Sequence, residues 1–290
     1  MDIFRNILHG VFLSRPNRFV VECLVHDRKV RAYFPNPGRL WELLFPGVTV
    51  YLTPLVPAAG RKLAYLAVAV LRDGMPVMLH THYNNLVARK LIEEDRIPGL
   101  EGAVIAKQEH RVGHSRFDFL LRRDSRDILL EVKSCTLFHD TLAMFPDAVS
   151  ARATKHLLEL AELSRTGMRA AVLFIVHSPK ARYFMPEHHT DLELCRALLA
   201  KKDAVMVKAV AVAWEQDLSL GDTVRDLIIP WDLVEREAHD CGNYVIVLKL
   251  NRDRRLTIGG LGDVKFRKGY YLYVGSAMKD LTQRSPGTSD

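Results

Sequence analysis

The stretch RFDFLLRRDSRDILLEVKSCT, residues 116–136, decides how this chain is read. Two apolar runs flank the polar hexapeptide Arg122–Asp127, and charged residues interrupt both runs. The pattern is that of a hairpin. A turn centred on Asp124-Ser125 sets Asp118 opposite Glu131, Leu120 opposite Leu129, and Arg116 opposite Lys133. Alternation then sends Phe117, Phe119 and Leu121 to one face with Ile128, Leu130 and Val132. The other face receives Arg116, Asp118, Glu131 and Lys133, gathered at the strand ends away from the turn. Directly opposed side chains have Cβ atoms about 4.5–5.5 Å apart, and like charges there are destabilising. Two carboxylates so placed need a proton or a cation between them. Hard oxygen ligands of this kind suit Mg²⁺ or Mn²⁺, held by one or two carboxylates with waters and a substrate phosphate. Lys133 points to the same side, where an ammonium orients water or stabilises charge developing on a phosphate. The competing reading is a surface hairpin with two solvated ion pairs, because D-x(12)-E-x-K is short enough to arise by chance.

The context favours the metal reading. A helix, "NNLVARKLIEED" (84–95), and a strand, "AVIAKQEH" (103–110), precede the hairpin. Asn84 is the expected cap of that helix. A second helix lies in "FPDAVSARATKHLLELAELSRTGM" (145–168), with Asp147 as its expected cap and Gly167 at its end. Strand "RAAVLFIVH" (169–177), helix "DLELCRALLAKKDA" (191–204) and strand "VMVKAVAVAW" (205–214) follow. The order after residue 84, α-β-β-β-α-β-α-β, makes a mixed sheet with helices on its faces.

Upstream, "RFVVECLVHDRKVRAYFP" (18–35) alternates about a polar turn at Asp27–Lys29. "PNPGRLWELLFPGVTVYLTP" (35–54) reads as turn, short helix, turn and strand, and "RKLAYLAVAVLRDGMPVMLHT" (61–81) as two strands about Asp73-Gly74. Five or so short strands point to a small β-barrel of the OB type, which serves either as a nucleic-acid-binding scaffold or purely in packing. Charged "WDLVEREAHD" (231–240) suits a linker, and residues 241–277 return to strands.

Of the 290 residues, 41 are Lys or Arg and 34 Asp or Glu, a net charge of +7. That excess suits a polyanion: DNA first, with RNA as the second candidate. The four cysteines (Cys23, Cys135, Cys195, Cys241) are far apart and form no CxxC pair, which argues for a reducing, cytoplasmic setting. No apolar run reaches the length of a membrane span. Asp2, Arg5, His9, Arg15, Arg18 and Glu22 make the first 25 residues unlike a signal peptide. On the helix after Asp147, Arg152, Lys155 and His156 share a face and are candidate phosphate contacts, as is Arg39 after its turn. His80, His82 and the pair His188-His189 are read as structural, and Trp41 as core.

The blocks "YFPNPGRLWELLFPG" (33–47), "SRFDFLL" (115–121), "LLEVKSCTL" (129–137), "FPDAVSARATKHLLEL" (145–160) and "AAVLFIVH" (170–177) resemble the sugar fermentation stimulation protein A family. The resemblance covers roughly residues 10–225. It implies an α/β (mixed α+β) architecture: an OB-like barrel over 1–82, then a restriction-endonuclease-like PD-(D/E)xK domain over 83–230. It implies DNA binding and a link to control of sugar metabolism. Carried over, Asp118, Glu131 and Lys133 are the nuclease triad, with Glu109, or less favourably Glu94, as a further ligand. Arg39, Arg116, Arg152 and Lys155 would meet nucleic acid, and a homodimer is admitted. Phe117 stands where such nucleases commonly have a proline. Residues 241–290 resemble part of a GIY-YIG nuclease module, Gly242–Tyr244 and Tyr273–Gly275 standing for the two tripeptides. Such modules need a helical arginine and a later glutamate; Arg284 is the only plausible arginine for that place and Asp290 the one acid after it, so this segment is expected to be a partial, inactive unit. Three functions compete: a metal-dependent endonuclease, a non-catalytic DNA-binding regulator, and an interaction or scaffold protein whose basic charge is incidental.

Overall fold

The computed structural model describes residues 4, 6–56, 60, 63–279 and 281. Asp2, Arg5, Arg284 and Asp290 lie outside the described residues. The chain divides into two compact units, Met1–Glu237 and Ala238–Asp290.

The first unit opens with β1 (Leu8–Asn17), β2 (Val20–Val25), β3 (Arg28–Tyr33), β4 (Thr49–Pro54), β5 (Tyr65–Arg72) and β6 (Met75–Met78). Their order is β3-β2-β1-β4-β5-β6, and β3 also pairs in parallel with β5, which closes β1–β5 into a barrel. Bulges at Phe12–Ser14 and Ser14–Asn17 bend β1 as it passes from one side of the barrel to the other. Left-handed backbone at His26 and Asp27, and at Asp73 and Gly74, makes the tight turns of β2–β3 and β5–β6. Phe12, Val21, Cys23, Ala32, Leu52 and Val70 are buried in one cluster. The short helix expected after Pro37 is a single turn, in which the amides of Leu43 and Leu44 bond Leu40 O. Pro46 and Gly47 stop it from growing.

α1 (Asn84–Glu93) leads into the antiparallel strands β7 (Val104–Val112), β8 (Ser115–Arg123) and β9 (Arg126–Cys135). There follow β10 (Leu137–His139), β11 (Leu142–Phe145), α2 (Ala151–Ser164), β12 (Arg169–Val176), β13 (Tyr183–Pro186), α3 (Leu192–Lys201), β14 (Met206–Trp214), β15 (Leu220–Asp226) and α4 (Trp231–Glu237). The main sheet runs β15-β14-β12-β9-β8-β7, with β9, β12 and β14 parallel. β10, β11 and β13 form a small separate sheet that the sequence did not announce. On one face of the main sheet, Val87, Leu91 and Ile92 of α1 pack with Phe119, Leu121, Leu130 and Leu173. On the other, Leu157 and Leu160 of α2 and Leu198 of α3 pack with Phe117, Leu129, Val172 and Phe174. This second core is continuous with the interior of the barrel. The architecture is mixed α/β: an OB-like barrel joined to a restriction-endonuclease-like sheet.

The β8–β9 register is the one the turn implies: Phe119 opposes Leu130 and Leu121 opposes Ile128, with φ of 49° at Asp124 and 61° at Ser125. Both expected helix caps are corrected. Asn84 is buried in a side-chain network instead of capping α1, whose N-cap position is Tyr83. Ser150, not Asp147, caps α2, accepting from the amide of Ala153.

In the second unit β16 (Gly242–Leu250) pairs antiparallel with β19 (Gly269–Ala277), and β17 (Arg254–Thr257) with β18 (Asp263–Phe266). Tyr244 stands opposite Gly275, and a Cβ there would meet the Tyr244 ring at 2.5 Å. The two named tripeptides therefore lie against one another.

The two-residue β8–β9 turn forces both central residues into left-handed backbone, which costs a non-glycine residue about 1–2 kcal/mol. Ser125→Gly is expected to raise stability by about 1 kcal/mol, read from the urea midpoint.

Candidate metal centre

Glu131 sits on β9 with only 4% of its surface exposed. Its Oε1 accepts from Lys133 Nζ at 2.6 Å and lies 2.6 Å from His156 Nδ1 on α2. Burial works against the charge, but the contacts of His156 and Lys133 outweigh it and hold the carboxyl below its ordinary range. Its other oxygen, Oε2, is buried and has no partner.

Asp118 occupies the place where β8 and β9 part. The paired register ends at Phe119–Leu130. Beyond it the Asp118 Oδ2 accepts the Val132 amide at 2.7 Å, and Oδ1 accepts from Asn85 of α1, also at 2.7 Å. The expected alternation breaks here. Phe117 joins the α2-side core, its ring centroid 5.9 Å from that of His156, while Asp118 turns to α1. The cause is local: a side-chain carboxylate has taken the place of a main-chain acceptor, so the strand no longer alternates through this residue. The two acids are thus reached from opposite sides of the sheet and do not stand as flat neighbours. They still feel each other: burial first, then the charge of Glu131, raises the Asp118 pKa.

α1 is held in place by a buried chain of side chains. Trp214 Nε1 donates to His177 Nδ1 at 3.0 Å, which leaves the His177 Nε2 proton for Asn84 Oδ1 at 2.9 Å. Burial lowers the His177 pKa to about 3, so the ring is neutral. Asn85, which grips Asp118, is the next residue.

The remaining expected residues do not gather in one place. Glu109 does not join the cluster. It is exposed and its Oε2 pairs with Arg116 Nη1 at 2.7 Å, its backbone being left-handed at φ 51° beside Asp118. Glu94 pairs on the surface with Arg96 and Lys90. Arg116, Arg152 and Lys155 line one depression of about 450 Å³ together with His114, Ser115 and His156. Arg39 lies apart, on the barrel. His156, expected beside Arg152 and Lys155 as a phosphate contact, is 7% exposed and bonds Glu131 instead. It shares an apolar stripe with Ala153, Leu157 and Leu160, and a polar residue at that spacing was its signal in the sequence. Asn85 left no comparable signal.

Lys133 and Asn85 open onto a cleft of about 390 Å³ between the barrel and the main sheet, whose other wall includes Arg18, Pro37 and Gly38. Asp147 lines it as well, with Oδ2 buried and unpartnered. Among the described residues, His80 is buried, its pKa lowered to about 4 by burial and then by His82. Glu187, His188 and His189 bring three ligand atoms within 4.8 Å of one another.

An OB-type barrel joined to a restriction-endonuclease-like mixed sheet defines a class of fold. The comparisons narrow it. A model described as the SfsA N-terminal OB domain matches residues 13–79, and one described as the sugar fermentation stimulation protein RE domain matches 82–218. The chain belongs to the sugar fermentation stimulation protein family. A homologue from Methanothermobacter thermautotrophicus is 37% identical over 202 residues, 70% of this chain and 84% of that protein. One from Clostridium botulinum is 36% identical over 227 residues, 77% of this chain and 98% of that protein. The solved structure of Pyrococcus furiosus SfsA in complex with Ca²⁺ matches with a TM-score of 0.70 at 33% identity, over 77% of this chain and 95% of that one. Residues 243–285, in the part read as GIY-YIG-like, match a domain of unknown function, DUF123.

Removing the Lys133 ammonium leaves Glu131 buried with one partner fewer, a loss of about 1–3 kcal/mol. The folded pKa of Glu131 is depressed, so its contribution is present above the ordinary value of 4.5 and fades as pH falls through the folded pKa. Lys133→Met is therefore expected to destabilise by about 1–3 kcal/mol at pH 7, with the gap narrowing below pH 4.5, measured by urea unfolding at both pH values.

Proposed function

We propose that this chain binds DNA and hydrolyses its phosphodiesters at Asp118, Glu131 and Lys133 with a divalent cation, Mg²⁺ or Mn²⁺. The observation that carries this is the buried, partnerless Oε2 of Glu131. Such an oxygen costs free energy unless something meets it. Asp118 is the second ligand, each carboxylate oxygen having lone pairs beyond its present hydrogen bond. Two carboxylates with waters and a substrate phosphate form an ordinary Mg²⁺ site. The Ca²⁺ of the Pyrococcus furiosus relative supports a divalent ion in this family. When bound, the cation supplies a more acidic water and a counter-charge for the phosphate.

The protein's own groups have separate tasks. Asn85 and the Val132 amide fix the Asp118 carboxylate. His156 fixes Glu131 through Oε1, which keeps Oε2 free. Lys133 opens to the cleft, where its ammonium faces an incoming phosphate. Arg116, Arg152 and Lys155 draw the flanking backbone to the depression beside His156, and Arg39 does so on the barrel.

One observation favours the non-catalytic regulator: Lys133 neutralises Glu131, and both Asp118 oxygens are bonded within the protein. Cutting decides between the two. Purified protein with Mg²⁺ or Mn²⁺ is expected to degrade DNA. EDTA and Asp118→Asn should each slow this at least a hundred-fold, with far-UV circular dichroism unchanged. Binding that persists in EDTA with no cutting in either metal would select the regulator. In both readings the affinity falls with salt, log K against log[salt] having a slope of about −0.7 to −0.9 per phosphate contacted.

A further inference from the structure

Trp41 is 72% exposed, against 4% for Trp214. Its sequence context suggested a core residue, and the structure shows why it is not one. Leu40, its neighbour, is fully buried at a left-handed φ of 54°, and Leu43 is buried two residues on. The Arg15 guanidinium rivets the preceding loop, donating to the carbonyls of Asn36 and Gly38 at 2.6 Å and to those of Arg18 and Arg39 at 3.0 Å. With its neighbours anchored inwards, the indole is held out. The Arg39 guanidinium lies over the indole at 5.3 Å from its centroid. The rest of the ring faces solvent.

Trp41 and Arg39 line a groove of about 690 Å³ on the barrel. That groove shares Arg18, Pro37, Gly38, Ala148 and Val149 with the cleft onto which Lys133 opens. The two are lobes of one channel. Gly38 lets its walls approach, since a Cβ there would run into Asp147 Oδ2. The channel therefore joins an exposed aromatic face, flanked by Arg18 and Arg39, to the candidate centre.

We infer that Trp41 is a stacking platform for an unpaired base, so that the channel receives single-stranded nucleic acid and leads it to Lys133. This rests on the nucleic-acid reading of the site and adds the strandedness of the substrate. An indole face can stack on a base only where that base is not already stacked and paired within a helix. The guanidiniums meet the phosphates of the same strand. Stacking of this kind is tolerant of sequence, because every base has a π-face.

The test is equilibrium binding of the full chain to fluorescein-labelled oligothymidine of about 16 nucleotides, the upper site size of one OB barrel, and to a duplex of equal length. It is done in EDTA, so no cutting is needed. Trp41→Ala is expected to weaken single-strand binding roughly ten-fold or more, the size of one lost stack, and to leave duplex binding unchanged. Trp41→Phe should restore most of the affinity. Oligothymidine should quench the intrinsic fluorescence of the wild type, and this quenching should be lost in Trp41→Ala. Wild-type and Trp41→Ala proteins that bind the single strand equally would overturn the inference while leaving the nuclease reading intact. Equal weakening on single strand and duplex would also overturn it. A wild type that binds neither probe would remove both.

Discussion

The structure turns on one buried negative charge. A carboxylate taken from water into a protein interior loses several kcal/mol of solvation unless donors replace the water. Glu131 is in that position, and the donors come from two directions: Lys133 along its own strand and His156 from α2. The charge therefore fixes the height and rotation of α2 against β9. It also explains why α2 carries a histidine on the stripe that otherwise packs Ala153, Leu157 and Leu160 into the core. Two donors on one oxygen leave the other bare, and that asymmetry makes the cluster a candidate ligand set as well as a structural ion pair.

The opposite face of the sheet is organised around the second acid. Asp118 is raised in pKa by burial and by Glu131, so its charge is held less comfortably. What anchors it is α1, through Asn85, and what anchors α1 is the neutral His177 between Trp214 and Asn84. Each acid is thus tied to a different helix, and the helices pack on opposite faces of the sheet. Beyond the last paired residues of β8 and β9, Asp118 is held from the α1 side and Glu131 from the α2 side. The loss of strand pairing beyond Phe119 is what leaves the Val132 amide to the Asp118 carboxylate.

Much of this was legible in residues 116–136. A polar turn between two apolar runs has few registers, and the burial of Phe119, Leu121, Leu129 and Leu130 selects one of them. The surroundings of Asp118, Glu131 and Lys133 and the barrel strands follow from the same period-two pattern. The misreadings share a cause: local rules were applied to residues that tertiary contacts had claimed. Asn84 has the chemistry of a cap but is spent on His177. Asp147 lies at the expected distance from α2, yet Ser150 is the residue at the helix's first free amide. Trp41 is apolar, but Arg15 and Leu40 dictate where its loop runs. The alternation at Phe117 and Asp118 failed because a carboxylate can substitute for a backbone acceptor, which no periodicity records.

The continuity of the core gives the cleft a further property. Phe12, Val21 and Leu52 of the barrel belong to the same buried cluster as Phe117, Leu157 and Phe174 of the α/β part. Two bodies joined by a polar interface would be free to move, whereas a shared apolar core resists it. The walls of the cleft are therefore fixed before any ligand arrives. The Pro37-Gly38 wall, held by Arg15, is set opposite Lys133 in the free protein. A ligand entering such a cleft spends little of its interaction energy on ordering the protein, and the ordering falls on the ligand instead. A flexible polyanion can be ordered in this way along a basic channel, because counterion release compensates for its lost freedom. Rigidity of the shared core and basicity of the channel act on the same binding step.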